Sequence, residues 1–424
     1  MTHPLAHVRV LDLGMFMAGP LAGRFLGEMG AEVIKVEAGS RPDPLRFQAR
    51  DIYPGGNPGE RPWNRSGMIN ERNRSKLGLS LDLKFPEGRA IFLDLVRISD
   101  VVLENFRTGV LDSYDLGYDS LRRANPSIIQ VSLTSQGAFG PEAAFGSAGA
   151  TLEYMSGLMS ITGYPGDWPD FSGPNLPDFL TPYSAVGLTM AALLYRRRTG
   201  KGVWIDLAQR ELAVAAIGDV VMDYSMNERV QQPAANRHPR YAPHGVFRCA
   251  GEDRWVALAV RDDDEWRRLC AVIGRQDLGG DPRFSTAEAR HQDQEDLTPI
   301  IEGWTSLRSP TAAMEAMQVQ GIPAGAVLKA ADLYGDPHLR ARGFYDTVND
   351  PDGGTFRYPG RPWRFSRSVV DNRSPTPLFG EHTRHVCQDI LGMPEARVTS
   401  LVEQRVLARE PSVIYQSVPK DERT

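Results

Sequence analysis

The sequence predicts an α/β fold built on a parallel sheet, followed by a second, smaller α/β domain. Three observations carry this. Across residues 8–135, short apolar runs of strand length alternate with segments of helical periodicity. Parallel strands need crossover connections, and a βαβα order provides them. After a polar, Arg/Pro-rich connector at residues 228–243 the alternation starts afresh, and 424 residues are enough to fill two cores.

Taken in order, residues 8–13 read as a buried strand, 20–29 as a helix and 31–37 as a second strand. Residues 39–65 are rich in Pro, Gly and Arg without periodicity, which predicts a long functional loop. A strand-like stretch at 77–83 precedes an amphipathic helix over 85–99 with Pro86 in its first turn. A strand at 100–106, a short helix at 118–125 and a strand at 127–135 follow. Next comes a long apolar helix ending in Arg196-Arg197-Arg198-Thr199-Gly200, then a strand at 203–207 and a helix over 209–227. In the second domain a strand at 255–260 and a helix at 263–273 lead through helical segments to Gln320. Gly321-Ile322-Pro323-Ala324-Gly325 then opens an apolar strand. Domain boundaries are expected at 1–225, 226–340 and 341–424, the last segment returning to the large domain. The stretch from Glu410 reads as a polar tail.

With 41% hydrophobic and 24% charged residues, the composition is that of an ordinary globular protein. A formal net charge of −5 argues against a general nucleic-acid binder but leaves room for a local basic pocket. Cys249, Cys270 and Cys387 are scattered without CxxC or Cys/His spacing, so neither a disulfide framework nor a metal site is expected. The opening residues lack a charged segment followed by an apolar one, and no apolar run reaches bilayer length. A cytoplasmic protein without a membrane partner is expected.

Gly14, Gly19 and Gly23 follow the first strand, and Glu37 ends the second where a ribose-binding acid would sit. The spacing is not GxGxxG, however, and Phe16, Met17 and Pro20 fill the turn, so NAD is not expected. A helix start at Pro20 still suits another anionic ligand. Thr199-Gly200-Lys201-Gly202 follows a helix rather than a strand, so a glycine helix cap explains it better than a phosphate loop. The run Asn70-Glu71-Arg72-Asn73-Arg74-Ser75-Lys76 reads as a solvated turn or as a phosphate clamp through Arg74 or Lys76. Asn105-Phe106-Arg107-Thr108-Gly109 ends a predicted parallel strand, where open α/β sheets bind ligands. His238 and His244 lack a serine-elbow or zinc-hydrolase partner motif. Asp178 lies before the long apolar helix. Thr181 fits the cap and Pro182 the first helical position, which would leave the carboxylate just outside the helix. Taken alone, that setting fits a turn aspartate bonded to its own backbone better than a ligand-facing one.

Taken together, these segments resemble the class III acyl-CoA:carboxylate CoA-transferases, the group of formyl-CoA and carnitine CoA-transferases. The resemblance runs in order through Val8-Arg9-Val10-Leu11-Asp12-Leu13, Ala18-Gly19-Pro20 and Gly30-Ala31-Glu32-Val33-Ile34-Lys35-Val36-Glu37. Leu79-Ser80-Leu81-Asp82-Leu83, Glu104-Asn105-Phe106-Arg107-Thr108-Gly109, Asn125-Pro126-Ser127-Ile128-Ile129 and Ser156-Gly157-Leu158-Met159 continue it. The Asp178 helix, Gly321-Ile322-Pro323-Ala324-Gly325, Asp336-Pro337 and Gly380-Glu381-His382-Thr383 complete it.

The resemblance implies a Rossmann-like large domain, a small α/β domain and an interlocked homodimer, with hetero-oligomers also found in such a family. It implies an enzyme that moves CoA from an acyl-CoA donor to a carboxylic acid acceptor, with Asp178 as nucleophile and no metal or redox cofactor. It places coenzyme A against Phe16, Met17, Ala18, Arg74, Lys76, Asn105, Phe106 and Arg107. Substrate contacts are expected from Glu153, Tyr154, Arg237, His238 and Tyr241, with residues 236–245 as a covering loop. The pattern departs at Ala38, where a basic residue is usual and Arg41 is the substitute, and at Ser113. The glycine-run lid of formyl-CoA transferases is missing too. Phe16, Met17, Trp63, Tyr154 and Tyr241 suit a bulky acid, and Arg46 or Arg237 a second carboxylate. Rival readings are an intramolecular CoA transfer within one dicarboxylate, a non-catalytic CoA-binding subunit, and an acyl-CoA racemase. The racemase is disfavoured because Gly137-Ala138-Phe139-Gly140-Pro141 lacks the Gly-His-Asp motif.

Overall fold

A computed structural model describes residues 2–47 and 52–412. Part of the loop expected at 39–65, and the tail beyond Ser412, lie outside the described residues. Ser160–Asp170 and Val230–Arg340 form one compact unit, and the rest of the described chain forms another.

The larger unit is organised by six parallel strands: β1 (Arg9–Asp12), β2 (Glu32–Glu37), β3 (Leu77–Ser80), β4 (Val101–Glu104), β5 (Ile129–Ser132) and β6 (Trp204–Asp206). Their spatial order is 3-2-1-4-5-6. That is the order of doubly wound dinucleotide-binding sheets, and the sheet is Rossmann-like. Val10 pairs with Val33 on one side and Val101 on the other, so β1 and β4 flank the point where the winding reverses. Ligands of such sheets bind at the carboxyl ends of the strands beside that point.

Both faces are buried, as the apolar runs require. Leu11, Ile34, Leu79 and Val102 pack beneath α3 (Pro86–Arg97) through Phe92 and Leu95. Val10, Val33, Val101, Ile129 and Val131 face the other way, against Ala22 and Leu26 of α1 (Ala18–Glu28) and Ala185 and Ala192 of a long helix, α6. α2 (Gly67–Arg72), α4 (Tyr118–Ala124) and α5 (Gly149–Met155) precede α6, which spans Leu176–Thr199. α6 ends at Gly200 in the left-handed region (φ 72°), whose N–H reaches Arg196 O at 2.8 Å. The single helix expected over 209–227 is two, α7 (Gln209–Ala216) and α8 (Gly218–Asn227), broken at Ile217 (φ −113°, ψ 30°). The expected loop at 39–65 contains short turns at Pro44–Arg46, Pro54–Gly56 and Pro62–Arg65.

The second unit holds an antiparallel sheet of β7 (His244–Arg248), β8 (Trp255–Ala259) and β9 (Ala324–Val327). Its core is Trp266, Phe284, Leu297, Ile301 and Met317, drawn largely from α9 (Asp263–Val272), α10 (Gln294–Thr305) and α11 (Pro310–Gln318). Asp262 caps α9 by accepting the Glu265 N–H at 2.8 Å.

After Arg340 the chain returns to the larger unit as the hairpin β10 (Tyr345–Asp350) and β11 (Gly354–Pro359), then α12 (Glu395–Glu403). The stretch between them, with Val406 just after α12, closes the edge of β3. Gly78 exchanges bonds with His382, its N–H reaching Nδ1 at 3.1 Å and its carbonyl accepting the His382 N–H at 2.8 Å. Ser80 N–H reaches Thr383 Oγ1 at 3.0 Å, and Asp82 N–H reaches Val406 O at 2.9 Å. An edge that would otherwise present free backbone groups is thereby paired.

Candidate active site

The start of α6 differs from the sequence expectation. The helix begins at Leu176, so Asp178 is its third residue and Pro182 lies inside it. Pro177, rather than Pro182, takes a first-turn position where a missing N–H costs nothing. Thr181 is no cap: its hydroxyl donates back to Pro177 O at 2.7 Å. Capping comes instead from Glu153 on α5, which accepts the Leu176 N–H at 2.7 Å and the Ser172 N–H at 2.8 Å, together with the Ser172 hydroxyl. Asn175, at φ 58°, turns the chain into the helix.

Asp178 is half-buried against the first residue of α5. A Cβ at Gly149 would stand 2.4 Å from Asp178 Oδ2 and 2.5 Å from Asn175 Cβ, so only glycine leaves the carboxylate its place. Burial pushes the Asp178 carboxyl up to about 6; Arg72 acts against that shift, and Glu153 adds to it. Glu153 is fully buried, and burial pushes its carboxyl up, but the bonds from Ser172 and Leu176 outweigh this and hold it below its ordinary range. Two carboxyls with divergent proton affinities therefore stand together, one fixed as an anion and one poised. Tyr154, next to Glu153, is 53% exposed.

At the reversal point of the sheet, Asn105 at the end of β4 grips the loop after β1. Its Oδ1 accepts the Met15 N–H and its Nδ2 donates to Met15 O, both at 2.8 Å. Phe16 follows at φ 59°, its N–H on Asp43 Oδ1 at 3.2 Å and its ring 44% exposed. Met17 is half-buried, Ala18 buried as the first residue of α1, and Arg107 exposed, while Phe106 packs partly against the core. Phe16, Met17, Asn105 and Arg107 thus follow the carboxyl ends of the central strands β1 and β4.

Arg74 and Lys76 do not join them, which corrects the phosphate clamp expected of their side chains. Lys76 Nζ is buried on Asp12 Oδ2, Pro20 O and Asn73 Oδ1 at 2.6, 2.7 and 2.8 Å. Arg74 is buried on Pro359 O at 2.7 Å and Asp346 at 3.3 Å, over the Tyr358 ring. Arg46 is likewise spent: its Nε and Nη2 meet the two Glu37 oxygens at 2.8 and 2.6 Å. Trp63 packs with Phe47 and Phe379 and lines a cavity with Leu378, Val398 and Ala408.

The remaining expected contacts lie in the second unit. His238 stacks on Tyr241 with ring centroids 4.1 Å apart and accepts the Arg240 and Tyr241 N–H groups on Nδ1, each at 3.2 Å. Arg237 is paired with Glu295. Sequence reasoning missed Gly149 and Arg72. The Asn70–Lys76 run signalled Arg72, but only the fold brings the charge of that one cation of the run to bear on Asp178.

Comparison with known proteins agrees with this architecture. Residues 5–383 match the model of CoA-transferase family III. The chain is 33% identical over 407 residues to a succinyl-CoA–D-citramalate CoA-transferase of Chloroflexus aurantiacus, covering 95% of this chain and 98% of that one. It is 33% identical over 387 residues to a succinate–glutarate CoA-transferase of Agrobacterium fabrum, covering 91% and 96%. A crystal structure of a CAIB/BAIF family protein from Brucella suis superposes with a TM-score of 0.84 at 30% identity, over 92% of this chain and all of that one. Fold and relatives together define an acyl-CoA:carboxylate CoA-transferase. The chain belongs to CoA-transferase family III.

Proposed function

We propose that this enzyme exchanges CoA between two carboxylic acids through covalent intermediates on Asp178. One observation carries the reading. Asp178 is a half-buried carboxylate whose affinity for protons is raised to about 6, so it is mostly ionised at neutral pH yet poorly solvated. Such a carboxylate is a better nucleophile than one in water.

In the proposed sequence an Asp178 oxygen attacks the thioester carbonyl, the C–S bond breaks and CoA thiolate leaves, giving a mixed anhydride. The thiolate then attacks the aspartyl carbonyl, releasing the first acid as carboxylate and leaving an aspartyl-CoA thioester. An acceptor carboxylate reverses both steps, and Asp178 is regenerated. Each step exchanges one carboxylate or thiolate for another, so the thioester energy is retained. Donors to the tetrahedral oxygens are assigned to backbone N–H groups near Gly149, and exclusion of water protects the anhydride.

Phe16, Met17, Ala18, Asn105, Phe106 and Arg107 are the assigned CoA contacts, supported by their position beside the reversal of the sheet. The relatives carry succinyl-CoA, succinate, glutarate and citramalate in their names, which supports succinyl-CoA as donor and a dicarboxylic acid as acceptor. A homodimer is supported by the exposed apolar side chains of α6 and α8, among them Leu188, Leu194, Val221, Met222 and Met226.

The test is to incubate the protein with succinyl-CoA, add hydroxylamine and map the product by mass spectrometry. A hydroxamate on Asp178 is the expected result. Turnover without any modification of that residue would overturn the reading.

A further inference from the structure

Arg72 is the last residue of α2, and its guanidinium is underused. Nη1 donates to Met68 O at 2.8 Å and lies 3.4 Å from Glu71, its ion-pair partner. Glu71 is shared, and it sits closer to Arg24, at 2.5 Å. Arg72 Nε is buried without a hydrogen-bond partner among the described residues, while the side chain as a whole keeps 12% exposure. A guanidinium offers five N–H donors in a fixed fork matched to a carboxylate, and burying one half-paired is costly unless an anion completes it.

The other cations of this region are already committed. Arg24 holds Glu28 and Glu71, Arg74 holds Asp346, Arg46 holds Glu37 and Lys76 holds Asp12. Arg72 is also the cation whose charge bears on Asp178. The elements are tied into one body. Arg24 of α1 donates to the Glu71 carbonyl at 3.2 Å, and Phe25 of α1 stacks on Tyr183 of α6 at 5.2 Å. A cation with unspent donors therefore stands within the field of the nucleophile, on helices that are both tied to α1.

We propose that Arg72 binds the remote carboxylate of a dicarboxylic acyl group while Asp178 attacks the thioester end. Arg72 is thereby the residue that selects diacids over monoacids. This rests on the assignment of Asp178 and adds the group that decides which acids it exchanges. A monoacid leaves the guanidinium half-paired with its Nε buried, whereas a diacid completes it.

The test uses the full-length enzyme with succinyl-CoA as donor and compares glutarate with its monoamide as acceptors. The two differ in the remote carboxylate alone. In the unaltered enzyme kcat/KM favours glutarate. In Arg72→Met the ratio is expected to collapse by about 30-fold or more, the cost of truncating one partner of a buried charge pair. Arg72→Lys keeps charge without the fork and is expected to give an intermediate ratio. It also serves as the readout if the methionine variant loses its thermal transition. A ratio unchanged in both variants, or equal losses on both acceptors, overturns the role of Arg72. Asp178→Ala separates the two readings. If it remains active the nucleophile assignment fails, whereas an inactive Asp178→Ala beside an unchanged ratio sinks the Arg72 proposal alone.

Discussion

Asp178 Oδ2 occupies space that a Cβ at Gly149 would invade, at a separation of 2.4 Å. Gly149 lies outside the left-handed region at the start of α5, so its lack of a side chain makes room for the Asp178 carboxylate and for Asn175, whose Cβ would stand 2.5 Å away. Gly149→Ala is therefore expected to fold and to displace the nucleophile. A misplacement of about 1 Å costs on the order of 100-fold in kcat. Steady-state kinetics measures this, and a thermal melt separates it from the loss of about 1–3 kcal/mol expected as Asn175 also gives way.

Asp178→Asn removes the nucleophile but keeps its shape. Loss of CoA transfer by at least about 1,000-fold is expected, in the range seen when a covalent nucleophile is removed. The same change removes a half-buried charge. The folded carboxyl titrates near 6 against an ordinary 3.8, so its contribution to stability is present below 3.8 and lost as pH rises through 6. At pH 7.5 the asparagine variant should be more stable, on the order of 1 kcal/mol, in a denaturant titration.

Activity itself should follow the ionised form of Asp178. The rate is expected to climb as pH rises through about 6 and then level off. In Glu153→Gln the neighbouring negative charge is gone while one of its two acceptor oxygens remains for the Leu176 N–H and the Ser172 hydroxyl, and the midpoint should move to lower pH. A midpoint that stayed put would show that Glu153 does not act on Asp178 through charge.

Glu37 and Arg46 form a buried, two-pronged ion pair in the larger unit. Burial alone would push the Glu37 carboxyl up, but Arg46 overcomes this and holds it at about 2. The stability it contributes is present above 4.5 and lost as pH falls toward 2. Arg46→Met should cost about 3–5 kcal/mol at pH 7, because Glu37 is left charged and unpaired. The deficit should shrink on acidification, and the double change Glu37→Gln with Arg46→Met should recover much of it.

What the sequence made legible follows from locality. β1 and β4 are buried on both faces and are legible as the short apolar runs Val10-Leu11 and Val101-Val102-Leu103, while β5 keeps Gln130 and Ser132 among its apolar residues. The strand order 3-2-1-4-5-6 is a tertiary fact with no local trace. The start of α6 is not legible because Pro182 resembles a first-turn proline, whereas the true cap, Glu153, lies 23 residues before Leu176. Arg74 and Lys76 read as solvated loop charges. Their burial depends on Asp346 and Asp12, 272 and 64 residues away. Gly149 carried no signal at all, since a glycine kept for a neighbour's carboxylate looks like any other. The resemblance along the whole chain, rather than the surroundings of Asp178, pointed to that aspartate.

The closing of the β3 edge by His382 and Thr383 has a consequence for biosynthesis. Gly78 and His382 are 304 residues apart, and a ribosome adds about 5–20 residues per second. The nascent sheet therefore waits about 15–60 s with an open strand at its rim before its own chain supplies the seal. Through that interval the rim can recruit any passing extended segment, including another nascent copy. The yield of this enzyme in a cell should accordingly depend on translation speed and chaperone supply more than on the stability of the finished fold.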